Sequence, residues 1–278
     1  MWAHERHSRI VSLLNERQRL TTEAIAAELA VSKETIRRDL IELELSGKLS
    51  RVHGGAIPQS VPVEPSYVER EELHRPEKRA IARAAATLIR PGMSCFIDAG
   101  STTQALAQAL LARTDIQIVT NSVNIASELA GNPALDVVLL GGRIAQEMPA
   151  TYGDQTVAEI GRYHLDLAIV SPVAIDARAG AMDYLWHEAA VARAMLEHAR
   201  QRILLADRSK LGQTSRMQIC AASAVDVLVT DASESDKLVR QLQGGGVKGV
   251  LHAEPPGAER LTSVPATRRA ERAGDAGR

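Results

Sequence analysis

Cysteine is nearly absent: Cys95 and Cys220 are the only two in 278 residues. Each lies in an apolar stretch with no second ligand at metal or redox spacing, so two reduced core thiols are expected and no metal site. Long apolar runs are missing as well. None approaches the roughly 18 residues of a membrane span, and the N-terminus has no apolar signal core, so the expectation is a cytoplasmic chain with no membrane partner. An excess of one charge sign is also missing, since 33 Lys/Arg face 34 Asp/Glu for a net charge of −1. No global field therefore advertises nucleic acid, although DNA contact depends on where charges sit rather than on their sum. Neither a Walker A sequence nor Gly-x-Gly-x-x-Gly occurs, which disfavours a nucleotide, and no other cofactor is expected. There is no repeat of solenoid length.

What is present is the composition of an ordinary globular protein, 45% apolar and 24% charged, with room for about two domains. Residues 1–57 read as helices followed by a short hairpin. Ile10, Leu13 and Leu14 recur at helical spacing, as do Ile25 and Leu29, then Ile36, Leu40 and Leu43. Thr22 and Ser32 stand where helix N-caps belong. Pro58, Pro62 and Pro65 then fall within eight residues, and segment 58–75 reads as a Pro-rich linker. From 76 to 252 short apolar strands alternate with helices: 94–98, 116–120, 135–140, 165–170, 202–206 and 225–230 as strands, with helices at 77–89, 102–111, 123–130 and 186–199. That alternation predicts an α/β domain with a mainly parallel sheet. The tail 253–278, rich in Pro, Gly, Ala and Arg, has no apolar periodicity and reads as disordered.

The segment from Thr22 to Leu45 predicts two helices around a tight turn at Leu29-Ala-Val-Ser32. On the second helix Glu34, Thr35 and Arg38 fall away from the apolar stripe, and Lys33 and Arg37 flank it. Guanidinium groups so placed can reach guanine edges in the major groove, while hydroxyls and ammonium groups hold phosphates. Gly47 to Gly55 suits a two-stranded wing carrying Arg51 and His53. Nine Lys/Arg face eight Asp/Glu over residues 1–57, but three bases face one acid between Lys33 and Arg38. A solvated helical hairpin has the same periodicity. What separates the two is a longer pattern. Ser32-Lys-Glu-Thr-Ile-Arg-Arg-Asp-Leu40, Leu43, Gly47 and Arg51-Val-His-Gly-Gly-Ala56 closely resemble the N-terminal signature of the DeoR family of bacterial regulators.

The resemblance runs from about Arg6 to Asp231. It also takes in Phe96-Ile-Asp-Ala-Gly-Ser-Thr-Thr103, Val119-Thr-Asn-Ser122, Leu140-Gly-Gly142 and Asp207-Arg-Ser-Lys-Leu-Gly212. It implies an N-terminal winged helix-turn-helix and a C-terminal sugar-phosphate sensor domain resembling ribose-5-phosphate isomerase. Ser32, Lys33, Thr35, Arg37, Arg38, Arg51 and His53 are then the candidates for operator DNA. Asp98, Gly100, Ser101, Thr102, Thr103, Asn121, Ser122, Gly141, Gly142 and Lys210 are the candidates for a phosphorylated small-molecule effector. Physically, a strand ending in a Gly-containing loop that opens a helix aims backbone N–H groups and the helix dipole at an anion. In a parallel sheet the four loops gather at its carboxyl edge.

Val119-Thr-Asn-Ser-Val-Asn-Ile-Ala126 and Trp186-His-Glu188 resemble the subgroup that represses glycerol-3-phosphate regulons. Glycerol 3-phosphate therefore leads the candidate effectors, ahead of other sugar phosphates. His187-Glu188 is not half of a His-Glu-x-x-His zinc motif, because Val191 stands at the second histidine position; His187 either lines the pocket or sits on the surface at a helix start. Ser171 to Asp176 departs from the family's Gly-Ala-Asp-Gly-like stretch, which removes the expected carboxylate near that strand end. The Arg-rich tail is a solvated appendage or an extra DNA contact. A homo-oligomer is expected, since two reading heads are needed for an inverted repeat. The reading is thus a DNA-binding repressor with no catalytic residues. The alternative is an isomerase-like enzyme with an attached DNA-binding module, for which Asp98 and Asp207 are the available carboxylates.

Overall fold

The computed structural model describes residues 3–17, 19–45, 48–52, 54–58, 65–146 and 148–254. His53, Gly47 and the tail beyond 254 fall outside the described residues. The first unit comprises α1 (Ala3–Arg17), β1 (Leu20–Thr21), α2 (Thr22–Leu29), α3 (Lys33–Leu45), β2 (Leu49–Val52) and β3 (Gly55–Pro58). Its core is the set of apolar stripes read from the sequence: Ile10, Leu13, Leu14, Ile25, Leu29, Ile36, Leu40 and Leu43, closed by Leu49 and Ala56.

Two local details differ from expectation. The cap of α2 is Thr21, whose side chain accepts a hydrogen bond from Ala24 N at 3.1 Å. Thr21 is the last residue of β1 and still extended, so its hydroxyl faces the helix start, whereas Thr22 is already helical and buried. The wing is also three-stranded, in the order β1-β3-β2. The third strand explains Gly55: a Cβ there would lie 2.1 Å from the Leu20 carbonyl oxygen, so only glycine lets β1 approach β3.

The chain continues through α4 (Tyr67–Glu72), α5 (Arg75–Ala86), β4 (Ser94–Ile97), α6 (Ser101–Leu110), β5 (Ile116–Thr120), α7 (Val123–Leu129) and β6 (Leu135–Leu139). Then come β7 (Arg143–Ile144), β8 (Thr151–Tyr152), α8 (Asp154–Ile160), β9 (Leu165–Val170), β10 (Ala174–Asp176), β11 (Gly180–Asp183) and α9 (Trp186–Glu197). The last elements are β12 (Ala199–Leu205), β13 (Met217–Cys220), β14 (Val227–Thr230), α10 (Lys237–Gly244) and β15 (Gly249–His252). Among the described residues no helix is long and apolar enough to cross a membrane.

The expected linker is only partly one. Its described portion contains α4, started by a capping box in which Ser66 and Glu69 bond reciprocally. All three prolines precede Ser66, so none opposes the helix. His74, in the left-handed region at φ 54°, turns the chain into α5.

Seven strands form one parallel sheet in the order β15-β14-β12-β9-β4-β5-β6. Side chains alternate between two cores, as strand geometry requires. Cys95, Ile97, Leu167, Ile169, Ile203 and Leu205 face α5 and α6, while Phe96, Ala168, Val170 and Leu204 face α9. Helices cover both faces, as an all-parallel sheet demands. From β4 the chain moves outward through β5 and β6, then returns to β9 on the other side of β4. The β4–β9 junction is therefore a topological switch point, where a crevice opens beyond the strand ends. A small antiparallel sheet, β10-β11-β13, and the β7–β8 hairpin complete the domain.

Candidate functional site

At the switch point β4 runs into Asp98-Ala-Gly100 and α6. The amide of Ala99 is shared between Asp98 Oδ1 and Asn121 Oδ1, each at 2.9 Å. Asn121 Nδ2 reaches Thr151 O at 3.3 Å. Several residues predicted as ligands make bonds that shape the loops. Thr103 Oγ1 donates to Gly100 O at 2.9 Å, and Ser122 caps α7 by accepting Ile125 N at 3.2 Å. Gly141 bonds Glu159 through its N–H at 2.8 Å and accepts from Thr156 Oγ1 at 2.7 Å. Gly142, at φ 147°, lies where a Cβ would come 2.1 Å from Thr156 Oγ1. The two glycines thus line neither cavity at the switch point; they fit the loop against β8 and α8. Thr102 is buried, and its Oγ1 has no hydrogen-bond partner among the described residues.

Two cavities adjoin there, both bordered by Arg70 and Val173. The outer one, about 330 Å³, is lined by Arg70, Lys78, Ser101, Tyr184, Ser209 and Lys210 among others. Lys210 Nζ donates to Pro172 O at 2.8 Å, with Ser171 Oγ at 3.4 Å. Lys78, only 4% exposed, donates to the carbonyl of Arg70. Burial, reinforced by the neighbouring charge of Lys210, pulls the Lys78 ammonium down to about 8. Asp207 on the same wall offsets part of this positive charge, and a bound anion would relieve the rest.

The inner chamber, about 20 Å³, is lined by Asp98, Asn121, Tyr152, Asp183, His187 and Glu188 among others. Burial next to Asp183 pushes the Asp98 carboxyl up to about 8. Burial also raises Asp183, against the bonds it receives from Tyr184 N and Glu188. Ser171–Asp176 brings no carboxylate to the chamber, and Asp183, at the end of β11, stands there beside Asp98. His187 lines the chamber, which decides between its two readings. Asp207 borders the outer cavity and caps the turn Arg208–Lys210 by accepting Ser209 N at 3.0 Å; it lines a different cavity from Asp98.

Arg70, Lys78 and Asp183 were not singled out from the sequence. Lys78 had a readable signal, since it occupies the stripe 78, 81, 82, 85, 86 that α5 buries. A lysine on an otherwise apolar stripe has to face something polar inside. Arg70 and Asp183 lie on elements too short for any periodicity.

In the first unit Ser32 Oγ accepts Thr35 N at 3.1 Å and so caps α3. Arg37 and Arg38 extend from the next turn, with side chains 69% and 76% exposed. Their contacts with Glu34 are long, 3.9 and 3.6 Å, and Lys33 pairs with Glu23 at 2.9 Å in the open. Exposed pairs of this kind contribute little, so phosphates can displace them. Arg51 sits on the wing, 3.6 Å from Glu44. The orientation of α3 depends on Asp39, which the sequence reading passed over. Buried Asp39 accepts two bonds from Arg6, at 2.5 and 2.8 Å, and lies 3.0 Å from His7 Nε2. Burial raises that carboxyl, but the bonds from Arg6 and His7 outweigh it and hold the group below its ordinary value. Its position three residues after Ile36 and four before Leu43 puts an acid on the apolar stripe, the same readable signal as Lys78.

Comparison with known proteins agrees with both halves. Residues 6–60 match the DeoR-like helix-turn-helix domain, and residues 73–232 match the DeoR C terminal sensor domain. The glycerol-3-phosphate regulon repressor of Haemophilus influenzae is 39% identical over 225 residues, covering 81% of this chain and 88% of that protein. The HTH-type transcriptional repressor GlcR of Bacillus subtilis is 35% identical over 260 residues, covering 93% and 100%. The glycerol-3-phosphate regulon repressor of Escherichia coli K12 is 34% identical over 228 residues, covering 82% and 90%. Ribose 5 phosphate isomerase A from Neisseria gonorrhoeae aligns with a TM-score of 0.37 at 19% identity, over 53% of this chain and 55% of that one. With a matched helix-turn-helix domain followed by a matched sensor domain, this chain belongs to the DeoR family of transcriptional regulators.

Proposed function

We propose that this protein is a homo-oligomeric repressor released from operator DNA by a phosphorylated polyol, with glycerol 3-phosphate the favoured effector. The observation that carries the reading is the cationic cavity at the β4–β9 switch point, where Lys78, Lys210 and Arg70 surround a space of about 330 Å³. Ser101, at the first turn of α6, adds a hydroxyl and the helix N-terminus to that wall. The names of two relatives support the choice of effector. So does the scale of the inner chamber, about 20 Å³, which holds a single water-sized group and not a sugar ring.

Arg37, Arg38, Thr35 and Lys33 read the operator, Ser32 caps their helix, and Arg51 of the wing holds the backbone. The isomerase alternative is not favoured, because the relatives similar over most of the chain are named as repressors and the helix-turn-helix domain is matched. For release, the metabolite must bind more tightly to the form with lower DNA affinity, and operator DNA must then weaken metabolite binding by the same factor. A coupling of about 1–3 kcal/mol changes affinity by about 5- to 150-fold.

The test is a mobility shift with DNA from the gene's own neighbourhood, titrated with glycerol 3-phosphate and a panel of other sugar phosphates. Release by one ester identifies the effector. Specific DNA binding that no phosphate ester disturbs overturns the sensor assignment.

A further inference from the structure

The outer cavity accounts for a phosphate, which every phosphate ester carries; it does not account for a choice among them. Building on the effector reading above, we propose that the inner chamber is the specificity end of the site. There His187 and Asp183, with Asp98 beside them, accept hydroxyl donors from the far end of the ligand and reject a carboxylate there.

The case begins with His187. Its ring is fixed against Tyr152, centroids 4.3 Å apart, and meets Trp186 edge-on at 5.9 Å. Its Nε2 is buried and has no hydrogen-bond partner among the described residues. A buried ring nitrogen without a partner is costly, and a ligand hydroxyl, which can donate or accept, relieves it. The two carboxyl groups point the same way. Asp183 Oδ1 accepts Tyr184 N at 2.8 Å, and Asp98 Oδ1 accepts Ala99 N at 2.9 Å. Even a protonated carboxyl keeps acceptor positions on its oxygens, so acceptor capacity remains beside these backbone bonds and the Glu188 bond to Asp183, and an alcohol supplies donors to it.

The position of the chamber makes this a choice between ligands. Arg70 and Val173 border both cavities, so a short ester with its phosphate among Lys78, Lys210 and Ser101 carries its other end toward Asp98 and Asp183. A terminal carbinol satisfies the chamber. A methyl in its place supplies no donor, and a carboxylate adds a third acid where burial already opposes the ionisation of Asp98 and Asp183.

Titration calorimetry on the full chain tests this with glycerol 3-phosphate, propane-1,2-diol 1-phosphate (which lacks the terminal hydroxyl), 3-phosphoglycerate and inorganic phosphate. Wild-type protein is expected to bind glycerol 3-phosphate at least about tenfold more tightly than propane-1,2-diol 1-phosphate, and 3-phosphoglycerate more weakly than either. His187→Ala and Asp183→Asn should each weaken glycerol 3-phosphate binding about tenfold while leaving inorganic phosphate unchanged. Asp183→Asn should in addition tighten 3-phosphoglycerate, a gain that general damage to the fold does not produce. His187→Gln, which retains a polar group, provides the second variant should either of the others fail to fold. Wild-type preference for glycerol 3-phosphate with unchanged discrimination in the variants overturns the chamber's role and leaves the effector reading intact. Failure of the wild type to bind any of the three esters overturns both.

Discussion

Replacing Lys78 by methionine removes one positive charge from the outer cavity and keeps most of the side chain's volume. Lys78 is 4% exposed and its ammonium bonds inward, to the Arg70 carbonyl, so a bound phosphate takes a hydrogen bond that water does not replace. A hydrogen bond to a charged group contributes about 1.5–3 kcal/mol. Because the ammonium must share its protons with Arg70, the lower half of that range applies, and at about 1.4 kcal/mol per decade the loss is about 10- to 40-fold in effector affinity. The exposed neighbour Arg79, which borders neither cavity at the switch point, serves as control; Arg79→Met should change affinity less than about threefold, as expected for a solvent-screened charge. Calorimetric titration gives the affinities, and a mobility shift shows that operator binding is retained.

The same variant carries a pH signature. Only the protonated amine attracts phosphate, and its value lies near about 8 in the empty protein. Wild-type affinity should therefore fall as pH rises above about 8, by up to about tenfold per unit, until the bound-state value is passed. Lys78→Met should show no such fall. Equal affinities for wild type and Lys78→Met, or a fall that persists in the variant, would refute the placement of phosphate beside Lys78.

Three further outcomes are expected. Asp39→Ala strands Arg6 and His7 at the α1–α3 contact and should cost the DNA-binding unit about 2–4 kcal/mol, seen as early melting. Since the Asp39 carboxyl lies below its ordinary value when folded, its contribution is complete above about pH 4 and is lost as pH falls through the folded value; an acid melt of Asp39→Asn that matches wild type would remove the clamp from the account. Gly55→Ala drives a Cβ into the Leu20 carbonyl and should cost about 1–3 kcal/mol, while Gly244→Ala, with open space around it, should be nearly silent in the same denaturant titration. Arg38→Ala should weaken operator binding by about 1–3 kcal/mol if it pairs with a guanine, and a footprint of wild-type strength would take it off the DNA.

Most of the architecture was legible because it is written in periodicities that burial enforces. Every apolar stripe read in α1, α2 and α3 is in the core, and the sheet strands β4, β5, β6 and β9 were placed almost to the residue. The β10-β11-β13 sheet was not, since three- and four-residue strands such as Ala174–Asp176 and Gly180–Asp183 are too short to show an alternation. That is why the acid facing Asp98 went unseen. The site was half legible: the loops were found, but Thr103, Ser122, Gly141 and Gly142 hold those loops together, and sequence does not separate a hydroxyl that binds from one that caps. Lys78 and Asp39 are the opposite case, charges at stripe positions where the pattern itself called for an apolar residue.

The helix Tyr67–Glu72 has a consequence for how the two halves can be recombined. Tyr67 packs with Ala99, Met148 and Ala150, and Arg70 borders both cavities, yet the sensor domain as matched begins only at residue 73. A chimera spliced there would transplant a receptor with one wall left behind on the donor. Splicing before Pro65 moves both cavities with all their walls, so the segment between reading head and sensor travels with the sensor and not as interchangeable rope.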